Sequence, residues 1–293
     1  MAQPDDKAAE ISIVAVLGAG TMGHGIAQVC AAAGIETRLF DMRPELVSSA
    51  LDKVSANLDK GVARGKVTPE GRTATLQRLS GAADLATAVA GADMIVEAVP
   101  EKLALKQSVF RQVAEIAGDK AILATNTSSL SIDAIADGIP VPGRVIGTHF
   151  FNPVHIMKLL EIVVGPRTDP AVLARVQTLS ERLGKQSIVV NDAPGFATSR
   201  LGLVIGLEAI RMVEQGVASA EDIDKAMTLG YGFPMGPLRL TDLVGLDVRL
   251  SIAEHLAREL DNGEHFQPPQ LLRTMVADGK LGKKSGQGFY RWD

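Results

Sequence analysis

Val16-Leu17-Gly18-Ala19-Gly20-Thr21-Met22-Gly23 is a G-x-G-x-x-G motif that follows an apolar run and opens a helical pattern. Each glycine has a separate task in such a turn. Gly18 permits the tight reversal, Gly20 lets a pyrophosphate approach the backbone, and Gly23 packs helix on strand. The free N–H groups and partial positive charge of the helix start complete a phosphate site. Glycine-rich turns occur in many loops, so the flanks matter. Asp41 closes the next apolar run, 18 residues beyond Gly23, where a carboxylate accepts from the ribose hydroxyls of a dinucleotide. It would repel a 2′-phosphate, which favours NAD over NADP, with Arg43 close enough to soften that preference. Gly18, Ala19, Gly20, Thr21, Met22, Gly23 and Asp41 are the first candidate cofactor residues.

Outward from this turn, short apolar runs alternate with helical patterns. The runs are 11–18, 37–41, 94–99, 121–126, 144–150, 159–165 and 186–190. The early ones lack clean alternation, as strands covered on both faces should. Val47, Leu51, Val54, Leu58 and Val62 recur at helical spacing after Pro44, and 103–117 forms another helix closed by Gly118. Strand–helix–strand alternation predicts an α/β Rossmann-type, mostly parallel sheet. After Asn191-Asp192-Ala193-Pro194-Gly195 the pattern becomes helical, at 197–215, 219–229, 237–260 and 268–279, with a last strand expected only at 288–292. Ser219 with Asp222 gives a capping-box-like start. The expected organisation is a dinucleotide-binding domain over 1–191 and an all-α domain over 192–293. Helix 197–215 is apolar nearly all round, so its own domain or a subunit interface must cover it; a homodimer built on this domain is the favoured reading.

The 293 residues are 46% hydrophobic and 22% charged, a globular balance with ample core. The net charge of −4 offers no global attraction to nucleic acid or anionic lipid. Cys30 is the single cysteine, which excludes an internal disulfide and a thiolate cluster and suits a reducing compartment. The acidic first ten residues lack the marks of a targeting signal, and no apolar run approaches the roughly 20 residues of a membrane span. A cytoplasmic protein is expected. His24, His155, His255 and His265 show no metal-ligand spacing, so no metal is expected.

Chemistry concentrates in Gly147-Thr148-His149-Phe150-Phe151-Asn152-Pro153-Val154-His155-Ile156-Met157-Lys158-Leu159-Leu160-Glu161. Oxidising an alcohol needs a hydride acceptor and a base for the hydroxyl proton, and histidine suits the second task near neutral pH. If 144–150 and 159–165 form a hairpin centred on residue 155, His149 stands opposite Glu161, and a carboxylate there would fix the imidazole tautomer. On chemistry alone, a histidine between Thr148 and Phe150 is more often structural.

Almost the whole chain, however, resembles the 3-hydroxyacyl-CoA dehydrogenase family, in GAGTMGHGIAQ (18–28), EAVPEKLALK (97–106), TNTSSLSI (125–132), GTHFFNPVHIMKLLEIV (147–163), DAPGF (192–196), GPLRLTDLVGLD (236–247) and GKKSGQGFY (282–290). The resemblance implies NAD-dependent, reversible oxidation of an (S)-3-hydroxyacyl-CoA, with short-chain substrates such as 3-hydroxybutyryl-CoA included. It implies His149 as catalytic base, Glu161 as its orienting partner, Ser128 as a contact to the substrate oxygen, and Asn152 at the nicotinamide end. Glu101 and Lys106 match cofactor contacts, and Lys284 resembles a lysine that reaches toward the cofactor from the second domain. One position departs. The family pattern P-G-F-x-x-N-R reads Pro194-Gly195-Phe196-Ala197-Thr198-Ser199-Arg200, so Ser199 replaces an asparagine associated with the active site and cannot supply an amide's two donors.

A thioester of coenzyme A also needs a basic handle. Lys53, Lys60 and Arg64 share one stripe of helix 44–64, and the family binds coenzyme A near this helix, with Asn57 and Arg64 at matching positions. A solvated helix face reads equally well. Two rivals stay open. One is a Rossmann alcohol dehydrogenase for sugar nucleotides or phosphosugars; the other is a binding protein that kept the fold without turnover, for which Ser199 is the only support.

Overall fold

In the computed structural model residues 10–293 are described, and they divide into two compact units that meet at Asp192 and Ala193. The acidic stretch 1–9 lies outside the described residues. The first unit runs β1 (Ile13–Leu17), α1 (Gly23–Ala32), β2 (Glu36–Phe40), α2 (Pro44–Ala63), α3 (Pro69–Gln77), β3 (Leu79–Gly81) and α4 (Leu85–Val89). It continues with β4 (Met94–Glu97), α5 (Leu103–Ile116), β5 (Ile122–Thr125), α6 (Ile132–Ile135), β6 (Val145–Phe150), β7 (Leu159–Val164), α7 (Pro170–Arg182) and β8 (Gln186–Asn191).

These strands form one sheet ordered β3-β2-β1-β4-β5-β6-β7-β8. All neighbours are parallel except β6 and β7. All four residues of β4 and of β5 are buried, which is why their sequences show no alternation. The strand order reverses direction between β1 and β4, and such a reversal opens a crevice at the carboxyl ends of the strands. The expected mostly parallel sheet is present. The three-residue β3 and helices α3, α4 and α6 add to it; they carry too few residues to show a period.

The second unit is helical: α8 (Thr198–Glu214), α9 (Ala220–Lys225), α10 (Pro237–Val244), α11 (Leu246–Glu259) and α12 (Gln270–Ala277). Ser219 caps α9 by accepting from the Asp222 N–H, as its spacing predicts. Two sequence expectations need correction. The helix expected over 237–260 is two helices, because Gly245 sits at φ 103°, outside any right-handed helix. The strand expected at 288–292 is only a pair of isolated bridges, Gly282 to Gln287 and Gln287 to Arg291. The apolar surface of α8 is covered within its own unit at Leu203, Leu207 and Ile210, while Leu201 is exposed.

Two buried aspartates hold the C-terminal block in place. Asp242 accepts from the N–H groups of Phe289 and Tyr290 and from the indole of Trp292, all at 2.8–2.9 Å. A Cβ at Gly288 would fall 2.1 Å from Asp242 Oδ1, so only glycine lets the segment come this close. Asp224 accepts from Leu238 N, Arg239 N and the Tyr290 hydroxyl. The blocks GPLRLTDLVGLD and GKKSGQGFY thus include a structural joint. Asp242→Ala strands three half-buried donors and is expected to cost about 3 kcal/mol in urea unfolding followed by Trp292 emission. A loss under ~1 kcal/mol would show that the joint carries little of the unit's stability.

Candidate active site

The glycine-rich turn behaves as its three glycines require. Gly18 takes φ 103° and its N–H donates to Phe40 O, while a Cβ there would meet Ala98 O at 2.7 Å. A Cβ at Gly23 would lie 1.7 Å from Gly18 O, and one at Gly25 would press Val154 at 2.9 Å. At Gly20 no atom stands within 4 Å of that position. The backbone there is open for a phosphate to approach. Ala19 is buried, Gly20 and Thr21 are exposed, and Met22 is half-buried at the start of α1. Asp41 is fixed by two backbone donors, Ala19 N at 2.9 Å and Arg43 N at 3.0 Å, which set its carboxylate beside the turn. These residues fit a dinucleotide with an unphosphorylated ribose.

Beyond the carboxyl ends of β4 and β5 lies a chain of charges. Lys106, on α5, is fully buried and donates to both oxygens of Glu97, at 2.8 and 3.0 Å. Its ammonium also pairs with Glu101 at 3.2 Å. The Thr125 hydroxyl and Val99 N–H complete the shell of Glu97. Burial pushes the Glu97 carboxyl up, and the lysine and hydrogen bonds only partly offset it. At Glu101 burial acts in the same direction, but Lys106, Thr127 and Ser128 together hold the carboxyl below its ordinary range. Glu101 accepts from Thr127 Oγ1, Ser128 N and Ser128 Oγ, at 2.5, 2.9 and 3.3 Å. Glu101 and Ser128, expected as separate contacts, therefore form one hydrogen-bonded unit. Lys106, with no exposed surface of its own, orders Glu101 through this pair.

β6 and β7 form the hairpin that the sequence suggested, and their register sets His149 opposite Glu161. Nδ1 of His149 lies 2.8 Å from Glu161 Oε2. Glu161 is fully buried, His149 is 8% exposed, and the imidazole packs on the Phe151 ring at 4.4 Å. The β5–β6 register pairs Thr125 with Gly147, so Thr127 and His149 lie equally far along their strands. Asn126 Oδ1 ties the two strand ends by accepting from Phe150 N. Asn152 is exposed on the following loop.

Lys53, Lys60 and Arg64 are all exposed along α2 and its C-terminus, whereas Asn57 is half-buried and donates to Gln28 Oε1 at 3.2 Å. In the second unit Ser199 is half-buried in the first turn of α8, and Lys284 pairs with Asp247 at 2.6 Å. Sequence reasoning missed Glu97 and Thr127. Their signal was slight: a lone carboxylate ending an otherwise apolar strand, and a threonine inside TNTSS.

Comparison with known proteins bears directly on this geometry. The model of the NAD binding domain of 3-hydroxyacyl-CoA dehydrogenase matches residues 13–193, and that of its C-terminal domain matches 195–292. The chain belongs to the 3-hydroxyacyl-CoA dehydrogenase family. It is accordingly an NAD-dependent oxidoreductase of the 3-hydroxyacyl-CoA type. A 3-hydroxybutyryl-CoA dehydrogenase of Mycobacterium tuberculosis is 42% identical over 96% of this dehydrogenase and 99% of its own length. A 3-hydroxyadipyl-CoA dehydrogenase of Escherichia coli is 43% identical over 96% of the chain, which spans 59% of that longer protein. The crystal structure of (S)-3-hydroxybutyryl-CoA dehydrogenase from Ralstonia eutropha superposes with a TM-score of 0.93 at 38% identity, covering 97% of this chain and all of that one. No helix among the described residues of the dehydrogenase is long and apolar enough to cross a membrane.

The two inner glycines separate cofactor binding from folding. Gly20→Ala should melt as wild type but bind NADH roughly tenfold or more weakly, because its methyl enters the phosphate approach. Gly23→Ala should fail earlier, in thermal stability, because its methyl meets backbone. Fluorescence titration and thermal melting of both variants check this; equal NADH affinity in Gly20→Ala would contradict it.

Proposed function

We propose that this dehydrogenase oxidises an (S)-3-hydroxyacyl-CoA reversibly to the 3-oxoacyl-CoA, with His149 as general base and Glu161 as its orienting partner. The carrying observation is the 2.8 Å contact between His149 Nδ1 and a fully buried Glu161. With Nδ1–H donating to the carboxylate, the lone pair resides on Nε2, which takes the hydroxyl proton at C3. The buried carboxylate then stabilises the imidazolium, and the proton returns by the same atom in reduction. Bound NAD supplies the hydride acceptor at its nicotinamide. Ser128, held by Glu101, presents its hydroxyl to the substrate oxygen. Asn152 serves the nicotinamide end.

The phosphates of coenzyme A fit the exposed stripe of Lys53, Lys60 and Arg64, where three cations lie on one face of α2. Asn57 joins this surface from its place beside Gln28. The second unit supplies Ser199 and Lys284, and it also carries the dimer interface. Leu240, Leu243 and Val244 on α10 and Val248 on α11 are exposed and suit that role. The substrate is a short-chain acyl thioester, as the name of the Mycobacterium tuberculosis relative suggests.

The test follows NADH consumption at 340 nm with acetoacetyl-CoA. Wild type should turn over readily, and His149→Ala should lose about a thousandfold in kcat, within the range of a lost acid–base group, with NADH affinity retained. Absent wild-type turnover with intact NADH binding would favour a sugar-type substrate or a non-catalytic role.

A further inference from the structure

The segment from Phe151 to Lys158 closes the hairpin between β6 and β7, and its own side chains do little to hold it. Asn152, Pro153, His155, Ile156 and Met157 are all exposed, and only Val154 is buried. Within the segment, Ile156 N and Met157 N both donate to Pro153 O at 2.9 Å. Val154 seats the segment on α1, where a Cβ at Gly25 would stand 2.9 Å from two of its side-chain atoms. Because α1 opens at the glycine-rich turn, this contact ties the hairpin loop to the cofactor side of the sheet.

A single ammonium holds the segment from another side. Gly184 takes φ 66°, the left-handed turn with which glycine ends helices such as α7. Lys185 follows, and the chain then enters β8 with Gln186 N donating to Lys158 O at 2.8 Å. Lys185 Nζ donates to Val154 O at 2.5 Å and to Met157 O at 2.6 Å. Hydrogen bonds from a charged donor are roughly twice as strong as neutral ones. Burial pulls the pKa of this ammonium below the ordinary lysine value, with Cys30 opposing. A partly desolvated charge thus directs its donors to loop backbone.

We propose that Lys185 is a positioning residue of the dehydrogenase, acting through this segment on Asn152. The proposal rests on the reading of Asn152 at the nicotinamide end given above. Asn152 stands two residues before Val154, whose side chain rests against Gly25 and whose carbonyl is held by Lys185. Without the ammonium, two carbonyls lose their shared donor, and the valine contact and the Pro153 bonds are left to hold an exposed stretch. Asn152 moves with that stretch. Asp41 and the glycine-rich turn are held by other bonds, and His149 and Glu161 by strand register, so neither depends on the lysine.

The emission of bound NADH reports the surroundings of the nicotinamide and tests this without substrate. Lys185→Met keeps the apolar stem and removes the charge. It should bind NADH within about threefold of wild type, yet shift the emission of the bound nicotinamide as Asn152→Ala does. In acetoacetyl-CoA reduction its kcat should fall roughly tenfold to a hundredfold, the cost of a small misplacement. In the Asn152→Ala background the same substitution should cost less than about twofold. Val154→Ala loosens the segment from the α1 side and should repeat these results, which keeps the test decisive if Lys185→Met does not fold. Wild-type emission and kcat in Lys185→Met would overturn the proposal. So would losses that multiply with those of Asn152→Ala, which would mean that the lysine acts elsewhere. Loss of NADH affinity in step with the melting temperature would also overturn it, as the mark of a purely structural role. An Asn152→Ala variant identical to wild type would overturn both this proposal and the reading of Asn152. Failure of the dehydrogenase reading would show separately, as absent wild-type turnover, with the emission comparison still deciding the role of Lys185.

Discussion

The reversal of one strand underlies the proposed catalytic pair of this molecule. Every neighbouring pair in the sheet is parallel except β6 and β7, and that antiparallel pair alone sets two side chains of nearby sequence directly across from each other. His149 and Glu161 are twelve residues apart and meet because the loop between their strands closes a hairpin. A shift of one residue would turn the carboxylate to the other face of the sheet. Burial of Phe150, Leu160 and Ile162 holds the register, so the core of the sheet also sets the geometry of the proposed base.

The second organising feature is electrostatic. Lys106 places a full positive charge inside the unit, where an isolated ammonium would cost several kcal/mol. Two carboxylates share it, and the second, Glu101, passes the order on to Thr127 and Ser128. Removing Lys106 would leave Glu97 buried beside another carboxylate. The ends of β4 and β5 are thus held as one unit, in a crevice where parallel sheets receive ligands.

Much of this was legible in sequence, for physical reasons that differ by element. Buried parallel strands such as Met94–Glu97 announce themselves as continuous apolar runs. The glycine turn is legible because Gly18 and Gly23 are forced by contacts of 2.7 and 1.7 Å that no other residue can make. The pairing of His149 with Glu161 followed from hairpin arithmetic. What escaped was long-range or very short. β3 has three residues, and the break at Gly245 interrupts an apolar period that continues on both sides. Asp242 bonds a segment 47 to 50 residues away, which no local pattern encodes. Lys106 carried a motif but not its burial, so its place as the organiser of Glu101 emerged only from the fold.

The proposed chemistry requires His149 and Glu161 to act as one device. A double-mutant cycle on kcat for acetoacetyl-CoA reduction, with His149→Ala, Glu161→Gln and the pair combined, measures that directly. If Glu161 works by orienting and stabilising the imidazole, the double variant is no slower than His149→Ala alone. Independent, multiplying losses would contradict it and give the carboxylate a role of its own.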